Sequence, residues 1–351
     1  MILHIFNDQK KFSKEFFKVL YDNSFNLREH ELFHYGKKDE YFEKIGVKTT
    51  FLKSWFLPFG HLKLLRELKR SDKVMIHCLA SPMLLLILFF YPNICNKCIW
   101  SIWGKDLYFY HTCKKRTIFH MIYELFRKKV IKNMGTVVTM FKEEGDILKE
   151  WYNIEDKRIF YGFIYISGSD MSDEVKKEKS IREKKVLLLG NSASITNNHI
   201  DALNKLKSCY DKIENIYCPL SYGGSKKYAK SVGEKGKKLF GNKFIPIYNF
   251  MPKDKYFAMM EDIDVGIFNN NRQEALGNIG TMISKHKTLY MQKDISTSKY
   301  FRRIGIKVKY IEDIKNEIEE FDYETLKHNK EVYLNNVKLD DTINLLHKIL
   351  D

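Results

Sequence analysis

The chain has 351 residues, 44% of them hydrophobic and 14% aromatic, which suits two domains and excludes global disorder. Lys and Arg number 60 against 44 Asp and Glu, a formal +16, and residues 44–132 alone hold 17 Lys/Arg and 4 Asp/Glu. Charge that local implies an anionic partner: nucleic acid, anionic lipid headgroups or a phosphorylated ligand.

Short apolar runs alternate with helix-period segments from end to end, as in parallel α/β units. Met1–Phe6 reads as a strand entering a polar loop rather than a signal peptide, because its apolar stretch is too short. Ser13–Tyr21 and Leu62–Lys69 read as helices and Lys73–Cys78 as a strand. Pro82–Tyr91 reads as a buried helix and Cys98–Trp103 as a strand. The longest apolar run, Met83–Tyr91, is nine residues, against about 20 for a membrane span, so a soluble or peripheral cytoplasmic protein is expected. Cys95 and Cys98 form a single C-x-x-C without a second pair, and reduced core cysteines are expected instead of a metal or redox site. Thr117–Lys132 reads as an amphipathic basic helix and Thr136–Met140 as a strand.

Gly168–Lys184 is charged and nearly free of bulky residues, so a linker is expected there. It separates an N-terminal Rossmann-like domain over 1–166 from a second one over 185–330. A helical tail over 331–351 is expected to pack back on the first domain. In the second half the expected strands are Lys185–Leu189, Ile213–Cys218, Phe244–Ile247, Ile263–Phe268 and Thr288–Met291. The helices between them are His199–Tyr210, a segment ending near Phe240, Lys253–Glu261 and Asn278–Lys285. Two such domains face each other across a cleft lined by strand ends.

Four loops follow strands in the second half and should open on one sheet edge. The first holds Gly190, Asn191 and Ser192 before a helix capped by Asn197 or Asn198, with His199 next. Small residues there let backbone N–H groups approach a phosphate. The pattern is neither G-x-G-x-x-G nor a Walker loop. The second loop holds Ser221, Tyr222 and Gly223, and the third, Asn249–Pro252, places Phe250 beside a planar base. The fourth offers Arg272 for bidentate phosphate pairing, with Gln273, Gly277 and Asn278 at a helix start. A nucleotide diphosphate bound without metal is the simplest ligand, and no cofactor is expected. Asp262-Ile-Asp264 opens a strand and so falls on the opposite edge, which makes it structural. In the first half, Trp103, Gly104, Lys105 and Asp106 follow a strand, and Asp106 there could take a proton from an acceptor hydroxyl, orient the acceptor or cap the next helix. His4, Asn7 and Asp8 end the first strand on the same edge and are similarly placed. Arg116, Arg127, Lys128, Lys129 and Lys132, with Phe56–Phe59, make an anionic membrane surface a credible partner.

Trp103-Gly-Lys-Asp-Leu-Tyr108, Gly190-Asn-Ser192, Asn198-His-Ile200 and Arg272-Gln273 with Gly277 resemble, in order and spacing over about 300 residues, the glycosyltransferases of family 56. The chain departs from the enterobacterial pattern at Glu274-Ala275, where that pattern has Gln-Gly. The family includes the enterobacterial transferase of 4-acetamido-4,6-dideoxygalactose (Fuc4NAc), which moves this sugar from dTDP to an undecaprenyl-diphosphate-linked disaccharide. The resemblance implies a two-Rossmann, metal-independent GT-B fold with the donor in the second domain. Gly190, Asn191, Ser192, Asn198, His199, Arg272 and Gln273 would line the diphosphate site, and the lipid-linked acceptor would meet the first domain. Two other classes remain: a basic nucleic-acid-binding protein, for which no RNP, helix-turn-helix or zinc-finger pattern is present, and an inactive polysaccharide-assembly scaffold.

Overall fold

The computed structural model describes residues 1–6, 10–35, 39–52, 58–113, 116–165 and 182–351. Asn7, Asp8, Phe56, Leu57 and most of the expected linker lie outside them. The chain divides into two units, Met1–Asp170 with Val337–Asp351, and Met171–Asn336.

Unit 1 carries a seven-stranded sheet in the order β3-β2-β1-β4-β5-β6-β7, with every pairing parallel. Its strands are β1 (Ile2–Phe6), β2 (His30–Tyr35), β3 (Lys48–Leu52), β4 (Lys73–His77), β5 (Cys98–Ser101), β6 (Thr136–Thr139) and β7 (Ile159–Tyr161). One face of the sheet packs on α3 (Pro58–Arg70), α4 (Pro82–Phe90), α5 (Pro92–Cys95), α6 (Ile118–Lys132) and α7 (Lys142–Tyr152); Leu64, Leu84, Val130 and Leu148 share a core with Ile5, Ile76 and Trp100 there. The other face is covered by α1 (Lys10–Asp22), α2 (Glu40–Lys44) and α14 (Leu339–Leu350), through Phe16, Phe17, Phe42 and Leu346. Strand alternation produces this: Leu3 and Ile5 face one layer while Ile2 and Phe6 face the other. α14 is tied to unit 1 by Lys73, which donates to the Leu350 carbonyl at 2.8 Å.

Unit 2 repeats the architecture with six parallel strands in the order β10-β9-β8-β11-β12-β13. These are β8 (Lys185–Leu189), β9 (Ile213–Pro219), β10 (Phe244–Ile247), β11 (Val265–Phe268), β12 (Thr288–Met291) and β13 (Lys309–Tyr310). The helices are α8 (His199–Leu206), α9 (Lys226–Phe240), α10 (Lys253–Asp262), α11 (Leu276–Ser284), α12 (Ser296–Ile304) and α13 (Tyr323–Asn336). The expected helical tail is thus two helices, and α13 begins eight residues before Glu331.

In both sheets the strand order reverses direction between two neighbours, β1 and β4 in unit 1 and β8 and β11 in unit 2. Ligands of open α/β sheets bind outside the carboxyl ends of strands at such a reversal. Among the described residues no helix is long and apolar enough to cross a membrane. None of the six cysteines is in a disulfide, and burial pushes the Cys95 thiol up to about 11 and raises the Cys98 thiol too, the reverse of a reactive pair.

Candidate active site

Because the sheet of unit 2 is parallel throughout, the loops after β8, β9, β10 and β11 all emerge at its carboxyl edge. Three of them are knitted together by hydrogen bonds. Gly190, at φ +67°, leaves β8 and donates its N–H to the Ile267 carbonyl of β11 at 2.9 Å. A Cβ on Gly190 would lie 2.6 Å from Asn197 Oδ1 and 2.7 Å from His199 Nε2, so both the backbone angle and the space demand glycine. The Asn191 N–H donates to Asn197 Oδ1 at 2.9 Å. Ala193 donates to the Tyr222 carbonyl at 2.7 Å, and Asn191 Nδ2 reaches the Tyr222 hydroxyl at 3.3 Å. Gly223 and Gly224 press against Ser192 and Ala193; a Cβ on Gly224 would meet the Ala193 carbonyl at 1.7 Å.

Asn198 does not cap α8 with its side chain as the sequence leads one to expect. It stands at φ +47°, and its Nδ2 donates to the Asn269 carbonyl at 3.1 Å and to Asn271 Oδ1 at 2.8 Å. Asn269 answers by donating to the Asn198 carbonyl at 3.1 Å, which bolts the β8 and β11 loops together across the strand-order reversal. The first turn of α8 receives no side-chain cap, so its N–H groups face the cradle with the positive end of the helix dipole.

Among the described residues, four buried side-chain atoms in the β8 and β11 loops find no hydrogen-bond partner: Asn191 Oδ1, Asn197 Nδ2, His199 Nε2 and Asn270 Oδ1. Leaving one such atom unpaired costs about 1–3 kcal/mol. His199 is held neutral: burial lowers its imidazole to about 4.

Arg272 differs from its expected role. Its guanidinium is nearly buried and paired with Glu274 at 2.8 Å, while Nη1 donates to the Gln273 carbonyl at 2.9 Å. Thr196 holds the other oxygen of Glu274 at 2.6 Å. Burial raises the Glu274 carboxyl, against the opposing pull of Arg272 and Thr196. Arg272 is therefore an internally neutralised strut under the loop, not a free phosphate clamp. Gln273 is buried beside it. Gly277 faces open space, so sterics alone do not require glycine there, and Asn278 is engaged by the Tyr256 hydroxyl at 2.8 Å. Ser221 is half-buried, and Phe250 is 81% exposed on the β10 loop at the same edge. The Asp262–Asp264 pair lies at the opposite, amino edge, where Asp264 accepts from the Val186 N–H at 2.9 Å. Among the described residues no group of three or more His, Cys, Asp or Glu is arranged to hold a metal ion.

In unit 1, Asp106 corrects the expectation of an accessible base. It is 3% exposed and fully occupied, accepting from Leu79 N at 2.9 Å, Trp100 Nε1 at 2.8 Å and Trp103 N at 3.0 Å. Its own carbonyl is held by Arg127, which is itself buried and paired with Glu124 at 3.0 Å. Asp106 therefore staples the ends of β4 and β5, and Arg127 leaves the surface charge expected of α6. Gly104 takes φ +82°, Lys105 is exposed and Trp103 half-buried. His4, expected at the strand end, instead belongs to a buried row of imidazoles that the sequence reading missed, His30, His4 and His77, ending at Tyr165. Its only sequence signal is histidine inside apolar strands.

Solved glycosyltransferases of the GT-B type share this fold. A glycosyltransferase from Rickettsia africae matches at TM-score 0.65 and 13% identity, covering 100% of this chain and 98% of that one. Anabaena HepE, solved with UDP and glucose, matches at 0.67 and 11% identity, covering 99% and 98%. WaaG, a glycosyltransferase of lipopolysaccharide biosynthesis, matches at 0.59 and 10% identity, covering 99% and 95%. The fold is therefore GT-B. The model of glycosyltransferase group 56, described as 4-alpha-L-fucosyltransferase, matches residues 63–346, and the chain belongs to that family. It is a glycosyltransferase.

Proposed function

We propose that the enzyme moves a 4-acetamido-4,6-dideoxyhexose such as Fuc4NAc from a nucleoside diphosphate, with dTDP first in line, to an undecaprenyl-diphosphate-linked acceptor. The observation that carries the donor half is the cluster of four unpartnered buried polar atoms around Gly190, at the strand reversal of unit 2. An uncapped helix start and close-packed glycine loops supply N–H donors for a diphosphate. As the anomeric bond breaks, those donors stabilise the charge growing on the leaving diphosphate, which is work done without a divalent ion in this reading. HepE, solved with UDP and glucose on the same fold, supports a nucleotide-sugar donor.

The acceptor half rests on unit 1. The outward face of α6 is apolar: Ile118 and Phe119 are more than 70% exposed, with Met121, Ile122 and Leu125 beside them. Lys129 and Lys132 continue the helix toward its C-terminus. Apolar side chains aimed at solvent next to lysines suit an anionic bilayer, where each lysine adds about 1 kcal/mol. We place the enzyme at the cytoplasmic membrane face on this ground. A mass-spectrometric screen of nucleotide sugars against undecaprenyl-diphosphate glycans tests the transfer, and flotation with phosphatidylglycerol vesicles tests the docking. Transfer only to soluble sugars, or flotation unchanged in Phe119→Ser/Leu125→Ser, would refute the corresponding half. Tight binding to an oligonucleotide would favour the nucleic-acid class instead.

A further inference from the structure

The buried imidazoles of unit 1 form one continuous chain. His30 Nδ1 meets His4 Nε2 at 2.8 Å, His4 Nδ1 meets His77 Nε2 at 3.1 Å, and His77 Nδ1 meets the Tyr165 hydroxyl at 2.6 Å. Ser101 Oγ lies 2.9 Å from the same hydroxyl. His4 and His77 are fully buried, wedged among Phe6, Phe16 and Phe17, with Phe6 stacked on His77 at 3.6 Å between ring centroids. The chain also has direction. His30 opens β2 at the amino edge and lines a pocket of about 360 Å³ with Glu29, Asp72 and His347. His77 closes β4 at the carboxyl edge, on the strand reversal between β1 and β4, and Tyr165 is half-buried against Trp103 there. A layer built for stability alone would fill these three places with apolar side chains, as buried polar groups gain nothing over them.

We infer that Tyr165 is the group that takes the proton of the acceptor hydroxyl, and that His77, His4 and His30 are positioning residues that pass the charge to the opposite edge of the sheet. This rests on the glycosyl-transfer reading above and fills the place that Asp106 vacates. As the acceptor oxygen bonds to the anomeric carbon and the nucleotide diphosphate departs, the acceptor O–H bond breaks and its proton joins Tyr165 Oη. The original phenolic proton moves to His77 Nδ1. The His77 Nε2 proton moves to His4 Nδ1, the His4 Nε2 proton to His30 Nδ1, and the His30 Nε2 proton to water in the pocket. Every ring starts and ends neutral. After product leaves, the same shifts run backwards, with a proton entering at His30 and one leaving at Tyr165 to solvent.

The chain is needed because no single member can keep the charge. Burial holds His4 and His77 well below the ordinary imidazole range, and His4 is lowered further by His30 and His77. His30 is lowered to about 4 by burial, with Glu29 and Asp351 opposing and the Met1 amino group adding to the effect. The Tyr165 phenol is pushed up by burial, against hydrogen bonds from Ser101 and Trp103. A base acting on the attacking hydroxyl implies inversion at the anomeric carbon.

The test is transfer by the full-length enzyme from pH 6 to 9, with nucleoside diphosphate binding followed in parallel by calorimetry. Tyr165→Phe keeps the ring and should lower kcat by about 10²-fold or more while donor affinity stays within two-fold. His30→Gln, which cuts the outlet but not the Tyr165–His77 pair, should lower kcat less and steepen its dependence on pH. Tyr165→Phe with kcat within three-fold of the parent, or a product of retained configuration, overturns the assignment. Should His30→Gln change only the melting temperature and not the pH profile, the relay beyond His77 is overturned. Failure of the parent itself to bind any nucleoside diphosphate would instead sink the donor site.

Discussion

The two units share a sheet topology yet treat their strand reversals in opposite ways. In unit 1 the β1/β4 position is filled by rings: Phe6, Phe16, His77, Trp103 and Tyr165 pack against one another, and His77 is bonded to the Tyr165 hydroxyl. In unit 2 the β8/β11 position is lined with amides, hydroxyls and glycine, and four buried atoms there have no partner. One architecture thus carries a ring cluster threaded by histidines at one reversal and an open network of amides and glycines at the other. Topology supplies the place, while the residues grafted there decide its chemistry.

That contrast can be broken from either side. The largest effect expected is in unit 1, where Asp106→Ala strands three buried N–H groups and should cost at least about 3 kcal/mol in urea unfolding. A loss below 1 kcal/mol would show that Asp106 is not the staple described. Next is Gly190→Ala in unit 2, which sets a methyl against Asn197 and His199 at a positive φ. It should weaken nucleoside diphosphate binding roughly 30-fold or more; equal affinity in calorimetry would remove Gly190 from the site.

A third test uses pH. Burial lifts Glu144 to about 7, with Thr139 opposing. Its folded value lies above its unfolded one, so the stability it lends is present below about pH 4.5 and is lost as pH rises to about 7, by up to about 3 kcal/mol. Glu144→Gln should therefore raise the melting temperature at pH 8 and leave it near the parent at pH 4.5. The histidines act in the opposite sense: lowered imidazoles cost stability as pH falls below about 6.5 toward 4. The smallest effect is Ala275→Gly. Ala275 precedes α11 at φ +68°, and relieving that left-handed strain should stabilise unit 2 by up to about 1 kcal/mol. Destabilisation would mean that the methyl packs usefully.

Much of the fold was legible because continuous apolar runs such as Val186–Leu189 and Val265–Phe268 can only be strands buried on both faces. β2 and β3 escaped notice because His30, Glu31 and His34, then Lys48, Thr49 and Thr50, interrupt their apolar runs. Two of those polar groups are satisfied by partners distant in sequence, His30 by His4 and Lys48 by Glu31, each at 2.8 Å. α12 was invisible for a related reason: it opens with Ser296, Thr297 and Ser298, which look like a loop yet are buried. At the site, small residues after β8 announced a close-packed glycine loop, since that need is local. The fates of Asp106 and Arg272 were not readable. Leu79 lies 27 positions from Asp106, and only folding decides whether Arg272 turns toward Glu274 or a ligand.

The most direct test of the account is a calorimetric titration of the full-length chain with dTDP in excess EDTA. The account predicts saturable one-site binding under these conditions, unchanged when magnesium is restored. Heat released only after a divalent cation is added would contradict it, as would the absence of binding by any nucleoside diphosphate.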